Sequence, residues 1–364
     1  MIETTDVRKG EELNQIELER YLRSTLIERP GKISIEQFPA GSSNLTYLIS
    51  LADDEFVLRR PPFGNTVKTA HDMRREFDFL SKLSRVYPPA PRPILFCQDE
   101  AVIGSEFYLM ERRRGVVIRG RLSEEQLPGE IGASTVKRFE TDHSFQTDVS
   151  RGFIKNLVEL HSLDPARSEL EALGRPEGYN RRQVEGWTER YFAAKTHELQ
   201  ELEQCIAWLN DNLPTESGAS IVHNDYKFDN VMLDPNDLTK ITAVLDWEMV
   251  TIGDPLMDLG TTLGYWISRE AGDEMLSMPF NPRVLMENIS RNRLAEMYSE
   301  ASGRELPDML FYYVFGTFKI AVIAQQIYAR YVKGFTKDKR FARFDGFVST
   351  LGKIAAHAVE HGKI

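Results

Sequence analysis

The run His223-Asn224-Asp225-Tyr226-Lys227-Phe228-Asp229-Asn230 decides how this chain is read. It sets an acid two places after a histidine and a carboxamide five places after the acid. Short β-type runs bracket it, at 220–222 before, 231–233 after and 241–245 beyond, the last ending in Asp246-Trp247-Glu248. Asp225 and Asp246 are therefore expected at the ends of neighbouring short strands, a placement from which side chains converge on one site.

The spacing fits H-x-D-x-x-x-x-N, the catalytic-loop pattern of kinases. Moving a phosphoryl group to a hydroxyl calls for a carboxylate that orients the hydroxyl and takes its proton, and Asp225 is the candidate. It also calls for oxygen ligands on the Mg²⁺ that neutralises the phosphates: Asn230 offers an amide oxygen and Asp246 a charged carboxylate. Asp246 stands where protein kinases carry the Asp of D-F-G, with Trp247 and Glu248 following it. His223 is expected to pack and hydrogen-bond the loop, not to transfer a proton.

Outward from this run the period of the apolar residues changes twice. Residues 11–26 have helical periodicity, with Leu13, Ile16, Leu18, Tyr21, Leu22 and Leu26 on one broad face, and Pro30-Gly31 stops them. Strands follow at 33–38, 45–51 and 55–60, then a helix over 69–86, then strands at 94–97 and 106–111. This is a small sheet with one inserted helix. From Gly115 the pattern is mainly helical, with helices over 145–163, 181–195 and 199–212 and more after the β-rich island 220–246. The segment 116–145 is rich in Gly, Glu and Arg and reads as an irregular cover. A sheet-rich part joined to a helical part at 111–115 suggests a cleft at the join.

The composition excludes several classes. With 364 residues, 41% hydrophobic and 27% charged, the chain can bury a sizeable core. A net charge of −10 argues against non-specific nucleic-acid binding. Cys97 and Cys205 form no CxxC pair or zinc spacing, so free thiols in a reducing compartment are expected. The start, Met1-Ile2-Glu3-Thr4-Thr5-Asp6, lacks the basic and apolar regions of a signal peptide, and a cytoplasmic location is expected. The longest apolar run, 311–324, is broken by Lys319 and too short to span a bilayer; it reads as a core helix, and no membrane partner is expected. Protein partners and oligomeric state leave no mark in the sequence.

The catalytic-loop run, Asp246-Trp247-Glu248 and Gly253-Asp254-Pro255-Leu256-Met257-Asp258-Leu259-Gly260 together resemble the aminoglycoside phosphotransferase/choline kinase superfamily, over nearly the whole chain. A narrower likeness is to the kinase-like domain found fused to, or encoded beside, acyl-CoA dehydrogenases. It lies in Phe56-Val57-Leu58-Arg59-Arg60-Pro61-Pro62, Ala70-His71, Arg75-Glu76-Phe77, and Gly178-Tyr179-Asn180-Arg181-Arg182-Gln183 leading to Trp187. The resemblance implies an α+β, protein-kinase-like bilobal fold. Residues 1–111 would form the nucleotide-binding lobe, a small antiparallel sheet with one helix. Residues 112–364 would form a larger, mainly helical lobe with the catalytic loop and acceptor site. ATP and Mg²⁺ are the implied cofactors, with the choice of ATP over GTP left open.

In the smaller lobe, Gly41, Ser42, Ser43 and Asn44 lie between the first two strands, where small residues let backbone N–H groups approach phosphates. Taken alone the segment also reads as a plain turn. Alternation puts Val57 and Arg59 on one strand face, Val57 to pack on adenine and Arg59 to reach phosphates, with Phe56, Leu58 and Arg60 opposite. Glu76 is the natural partner of Arg59, similar to the Lys–Glu pair of protein kinases with Arg for Lys. A planar fork replacing a point charge leaves the mode of phosphate binding open, and a surface arginine on an edge strand is the alternative. Met110, Glu111 and Arg112 would form the hinge, with backbone groups bonding adenine. In the resembling families Asp258 braces the catalytic loop through backbone hydrogen bonds, and Asp254 is placed to cap the next helix.

Three acceptor classes fit. The narrower likeness implies a hydroxyacyl-CoA, a 4-hydroxyacyl-CoA foremost, whose hydroxyl becomes a leaving group on phosphorylation. A cationic amino-alcohol such as choline, or an aminoglycoside, would need an acidic pocket. A pseudokinase that binds nucleotide as a scaffold would need no acceptor, but Asp225, Asn230 and Asp246 are intact. Arg330, Lys333, Lys337, Lys339, Arg340 and Arg343 in the tail, and Arg112, Arg113, Arg114, Arg119 and Arg121 after the hinge, favour an anionic acyl-CoA, unless they only solvate helix faces. Trp187, Tyr191 and Tyr179 either line the acyl path or belong to the core.

Overall fold

The computed structural model of the chain describes residues 4–26, 32–39, 44–63, 72–167, 169–267, 275, 281–336 and 339–364. The chain forms two compact units. The first is Met1–Arg114 with Ala243–Glu248, and the second is Gly115–Thr242 with Met249–Ile364.

The first unit opens with α1 (Gln15–Thr25), capped by Asn14, whose side chain accepts from the Glu17 N–H. Strands β1 (Ile33–Gln37), β2 (Leu45–Leu51) and β3 (Asp54–Arg60) follow, then α2 (Met73–Leu83), β4 (Pro93–Cys97), a short α3 (Glu100–Ile103) and β5 (Phe107–Glu111). The sheet order is β1-β2-β3-β5-β4, antiparallel throughout. One inserted helix was expected and two are present; α3 is a single turn, too short for an apolar period to reveal it. One sheet face is apolar. Tyr47, Ile49, Leu51, Leu58 and Leu109 pack there against Leu18 and Leu22 of α1 and Val102 and Ile103 of α3. The strand period of two sends Arg59 to the opposite face from Leu58. Since β3 is the central strand, the reading of Arg59 as a surface residue on an edge strand is excluded.

The second unit is mainly helical. Segment 116–145 is more ordered than its composition suggests: it holds a 3₁₀ turn and α4 (Gly132–Thr141). Then come α5 (His143–His161), α6 (Tyr179–Ala194) and α7 (Gln200–Asp211). The β-rich island contains β6 (Ser220–Val222), β7 (Val231–Asp234), β8 (Asp237–Val244) and, unforeseen, β9 (Thr251–Gly253). β6 pairs with β9, and β7 with β8, in separate two-stranded ladders. The strands before Asp225 and Asp246 are therefore not sheet neighbours, contrary to expectation. α8 (Pro255–Tyr265), α9 (Arg283–Asn288), α10 (Arg291–Ser302), α11 (Leu310–Val332) and α12 (Phe344–His361) complete the described elements.

α11 has 23 residues, well beyond the apolar run 311–324, and is long and apolar enough to cross a bilayer. Most of its apolar residues are instead buried within the unit, against α6, α8 and α12 among others, while Val332 at its end is exposed. It crosses α8 at glycines. A Cβ on Gly260 would lie 2.2 Å from the Tyr312 carbonyl oxygen, and one on Gly316 would lie 2.2 Å from that of Gly260. No side chain fits between the two backbones. We predict that Gly316→Ala lowers the unfolding free energy by about 3 kcal/mol or more, the upper end of overpacking costs. Gly129→Ala, at a site with open space, should be near neutral. Urea unfolding of both variants checks this.

Candidate active site

In the first unit, a buried guanidinium gathers three carboxylates. Arg59 Nη1 lies 3.1 Å from Glu76 Oε1, and Nη2 lies 2.9 Å from Asp246 Oδ1 and 3.7 Å from Glu248 Oε2. Asn44 Nδ2 donates to the same Glu248 oxygen at 2.8 Å. Burial alone would lower the Arg59 pKa, but Glu76, Tyr108, Asp246 and Glu248 reverse this and hold it well above its usual value. For Glu76, burial wins and its carboxyl is raised, with Arg59 opposing. Glu76 sits on the first turn of α2, whose N-terminus Asp72 caps. Asp246 has φ of +65°, a left-handed backbone that few non-glycine residues adopt. The next residue anchors that turn: Trp247 is buried, donates Nε1–H to the Val244 carbonyl at 2.8 Å and meets Tyr87 edge-on.

Of the residues expected around a nucleotide, Asn44, Arg59, Glu76 and Asp246 come together here. Gly41, Ser42 and Ser43 lie outside the described residues, as do Ala70, His71 and Lys337. Val57 is buried on β3 opposite Met110. The Glu111 N–H already donates to the Arg92 carbonyl at 2.9 Å. Arg112 and Arg114 both pair with Glu55, and Arg113 pairs with Glu111 at 2.7 Å. Of the arginines expected to meet an anion after the hinge, Arg112, Arg113 and Arg114 are thus engaged by two neighbouring carboxylates, which leaves one positive charge in excess.

In the second unit, the catalytic loop is built around Asp258. This buried carboxylate accepts the N–H groups of His223 and Asn224, each at 2.7 Å, and His161 Nε2 at 3.1 Å. An ionised Asp258 accepts, so His161 carries a proton on Nε2, and its Nδ1 lies 2.8 Å from the Tyr298 hydroxyl. Burial would raise the Asp258 carboxyl; hydrogen bonding from His161 and the fields of His161, His223 and Lys319 outweigh it, and its pKa is lowered. The expected bracing by Asp258 is present, and Asp254 caps α8 by accepting from the Leu256 N–H. His223 is fully buried and its Nδ1 accepts the Asp225 N–H at 3.2 Å, as a packing role requires.

Asn224 has φ of +69° and every polar group engaged. Its amide Nδ2 donates to the Met249 carbonyl at 3.0 Å, and its Oδ1 accepts the Tyr179 hydroxyl at 3.0 Å. Lys319 Nζ donates to its carbonyl oxygen at 2.5 Å and to Oδ1 at 3.2 Å. This lysine, which interrupted the apolar run in the sequence, is the buried cation behind the loop. Trp187, Tyr191 and Tyr179 are all buried, and Tyr179 serves the loop directly.

Asp225 gathers the remaining side-chain contacts of the loop. Asn230 Nδ2 donates to the Asp225 carbonyl at 2.9 Å and to Oδ2 at 2.8 Å, which fixes the amide and turns its oxygen away from Asp225. Lys227 Nζ bridges both carboxylate oxygens, at 2.9 and 3.2 Å, and lies 4.6 Å from the centre of the Tyr265 ring. The Tyr265 hydroxyl donates to Oδ1. Lys227 and Tyr265 were missed in the sequence. Lys227 was legible as a cation two residues after the acid; Tyr265, forty positions away, was not.

An antiparallel sheet unit and a helical unit that carries the H-x-D loop are the parts of a protein-kinase-like phosphotransferase. The sequence profile of the phosphotransferase enzyme family matches residues 34–281, and the chain belongs to that family. It is 32% identical to acyl-CoA dehydrogenase family member 11 of Gallus gallus, over 96% of this chain and 44% of that protein. The human protein of that name is 34% identical, over 92% of this chain and 42% of its own length. The chain thus spans less than half the length of these curated relatives. Among solved structures, a Ralstonia eutropha protein provisionally classed as an aminoglycoside phosphotransferase is 27% identical, with TM-score 0.72, covering 95% of this chain and 99% of that one. Choline kinase of Cryptosporidium parvum shares the fold at 13% identity and TM-score 0.62, with 96% and 97% covered.

Lys319 generates a pH prediction. Burial pulls its pKa down from 10.5 to about 8, against Asp258 and Asp225. Between pH 8 and 10.5 the unfolded chain keeps a proton that the folded chain has released, so the folded state gains stability as pH rises through this window. Below pH 8 the cost is constant. The difference in unfolding free energy between the native protein and Lys319→Met should therefore move in favour of the native protein from pH 7.5 to 9.5. The shift should be on the order of 2 kcal/mol, measured by denaturant titration at both pH values.

Proposed function

We propose that this chain moves the terminal phosphoryl group of ATP to a hydroxyl of a small molecule, with a 4-hydroxyacyl-CoA as the acceptor. The observation that carries the transfer reading is the Asp225 carboxylate, held by Lys227 and Asn230 on a loop braced from behind by Asp258. Asp225 orients the acceptor hydroxyl and takes its proton as the new O–P bond forms and ADP leaves. Lys227 stands beside it as a cation for the transferring group. Asn230 and Asp246 are the proposed Mg²⁺ ligands: the amide of Asn230 is turned so that its oxygen is free of Asp225, and Asp246 keeps a third of its side chain exposed. Bound Mg²⁺ would neutralise the phosphates and so favour attack on them. Asn44, Val57, Arg59, Glu76 and the 110–112 hinge are the proposed nucleotide-binding residues, together with 41–43.

The acceptor reading is supported by the acyl-CoA dehydrogenase names of the relatives and by charge. Arg330, Lys333, Lys339, Arg340 and Arg343 are exposed, and CoA phosphates pair with such groups whereas an aminoglycoside is repelled. Location in the cytoplasm is part of the proposal and rests on the sequence alone. The test compares Mg-ATP consumption with a short 4-hydroxyacyl-CoA, kanamycin and choline. The CoA ester should be turned over fastest; faster turnover of kanamycin or choline overturns the acceptor. Asp225→Asn should cut turnover by about 10²-fold or more while leaving ATP affinity, read by calorimetry, nearly unchanged.

A further inference from the structure

Asp225 already holds as many donors as a carboxylate takes. Its oxygens offer about four lone-pair directions. Lys227 bridges both oxygens, Asn230 donates to Oδ2 and Tyr265 donates to Oδ1. Any hydroxyl that is to lose its proton to Asp225 must first displace one of these donors. Lys227 and Asn230 belong to the loop itself and form charge-assisted or doubly anchored bonds. Tyr265 comes from elsewhere, as the last residue of α8, and is a neutral phenol. Unlike the other two it lies outside the loop, so its hydroxyl can leave Asp225 without breaking the bonds by which the loop holds itself.

The same helix holds the loop at its other end. Asp258 fixes the His223 and Asn224 N–H groups, and Tyr265, seven residues on, lies on the same face two turns later. Burial first, and Asp225 next, hold the Tyr265 phenol far above its usual range, so it stays protonated and donating. Its hydroxyl is the same functional group that a phosphoryl acceptor presents.

We propose that Tyr265 is a specificity-determining residue that keeps water from Asp225, its hydroxyl holding the place that the acceptor hydroxyl takes. This rests on the reading of Asp225 as the base of a phosphotransferase. A tethered phenol has already lost its freedom of motion, so water gains little by replacing it. An acceptor fixed by remote contacts presents its hydroxyl at an effective concentration that bulk water cannot match, as oriented groups reach about 10⁵ M or more. The nucleotide is thereby protected from hydrolysis until an alcohol arrives.

The experiment measures ATP hydrolysis by the full chain with Mg²⁺ and no acceptor. Tyr265→Phe removes only the hydroxyl and keeps the ring beside Lys227; Tyr265→Leu is an independent donor-free variant. Both should hydrolyse ATP at least about fivefold faster than the native protein, with ATP affinity by calorimetry within about twofold. The double variant Tyr265→Phe/Asp225→Asn should lose the gain, placing the new hydrolysis on Asp225. Variants that bind ATP with unchanged or slower hydrolysis overturn this inference alone. Failure of the native protein to bind ATP overturns the phosphotransferase reading and this inference with it.

Discussion

The second unit is organised by one buried charge, the carboxylate of Asp258. Taking such a group out of water costs several kcal/mol unless donors replace the water. They come from the His161 ring and from the backbone of His223 and Asn224. Two of these donors are the residues immediately before Asp225, so satisfying Asp258 also fixes the direction in which the loop leaves β6. Lys319 completes the arrangement from α11 by binding the Asn224 carbonyl. It can reach that carbonyl because Gly260 and Gly316 let α8 and α11 approach backbone to backbone. Loop geometry is thus set by the bare contact of two helices and one buried anion.

The first unit solves a similar problem with the sign reversed. Arg59 is buried, and its fork lets one nitrogen face Glu76 while another faces Asp246. A lysine offers a single nitrogen at the end of a flexible stem and could not span the same two carboxylates in this way. An arginine at this position therefore has a structural content: the guanidinium ties α2 on one side to the Asp246 turn on the other. A pair this buried adds little net stability, because desolvation offsets attraction, but loss of one partner leaves a buried charge at a cost of about 3–5 kcal/mol.

Charge also narrows the function. Arg112, Arg113 and Arg114 share two carboxylates, Glu55 and Glu111, so most of their charge is matched locally. Arg330, Lys333, Lys339, Arg340 and Arg343 of the tail are exposed. Within the catalytic loop the cations are local: Lys227 on Asp225 and Lys319 behind Asn224.

The sequence by itself determined the elements with a clear period and the residues with a fixed spacing. The five-stranded sheet, α2 with Glu76, and the H-x-D-x-x-x-x-N run were legible because a strand period of two, a helix period of 3.6 and a loop motif are all local. α3, α4 and β9 were not: a single turn is too short for a period, a ten-residue helix whose large apolar residues are Val136 and Phe139 shows only a thin stripe, and a three-residue strand is defined only by its partner. Tertiary structure alone decided that β6 pairs with β9, that Lys319 serves the loop, and that Tyr265 lies on Asp225. Each of these is a contact between residues about thirty to ninety-five positions apart. No pattern of neighbours in sequence encodes such a pairing, because it is fixed by helix crossing and by the need to satisfy buried charge.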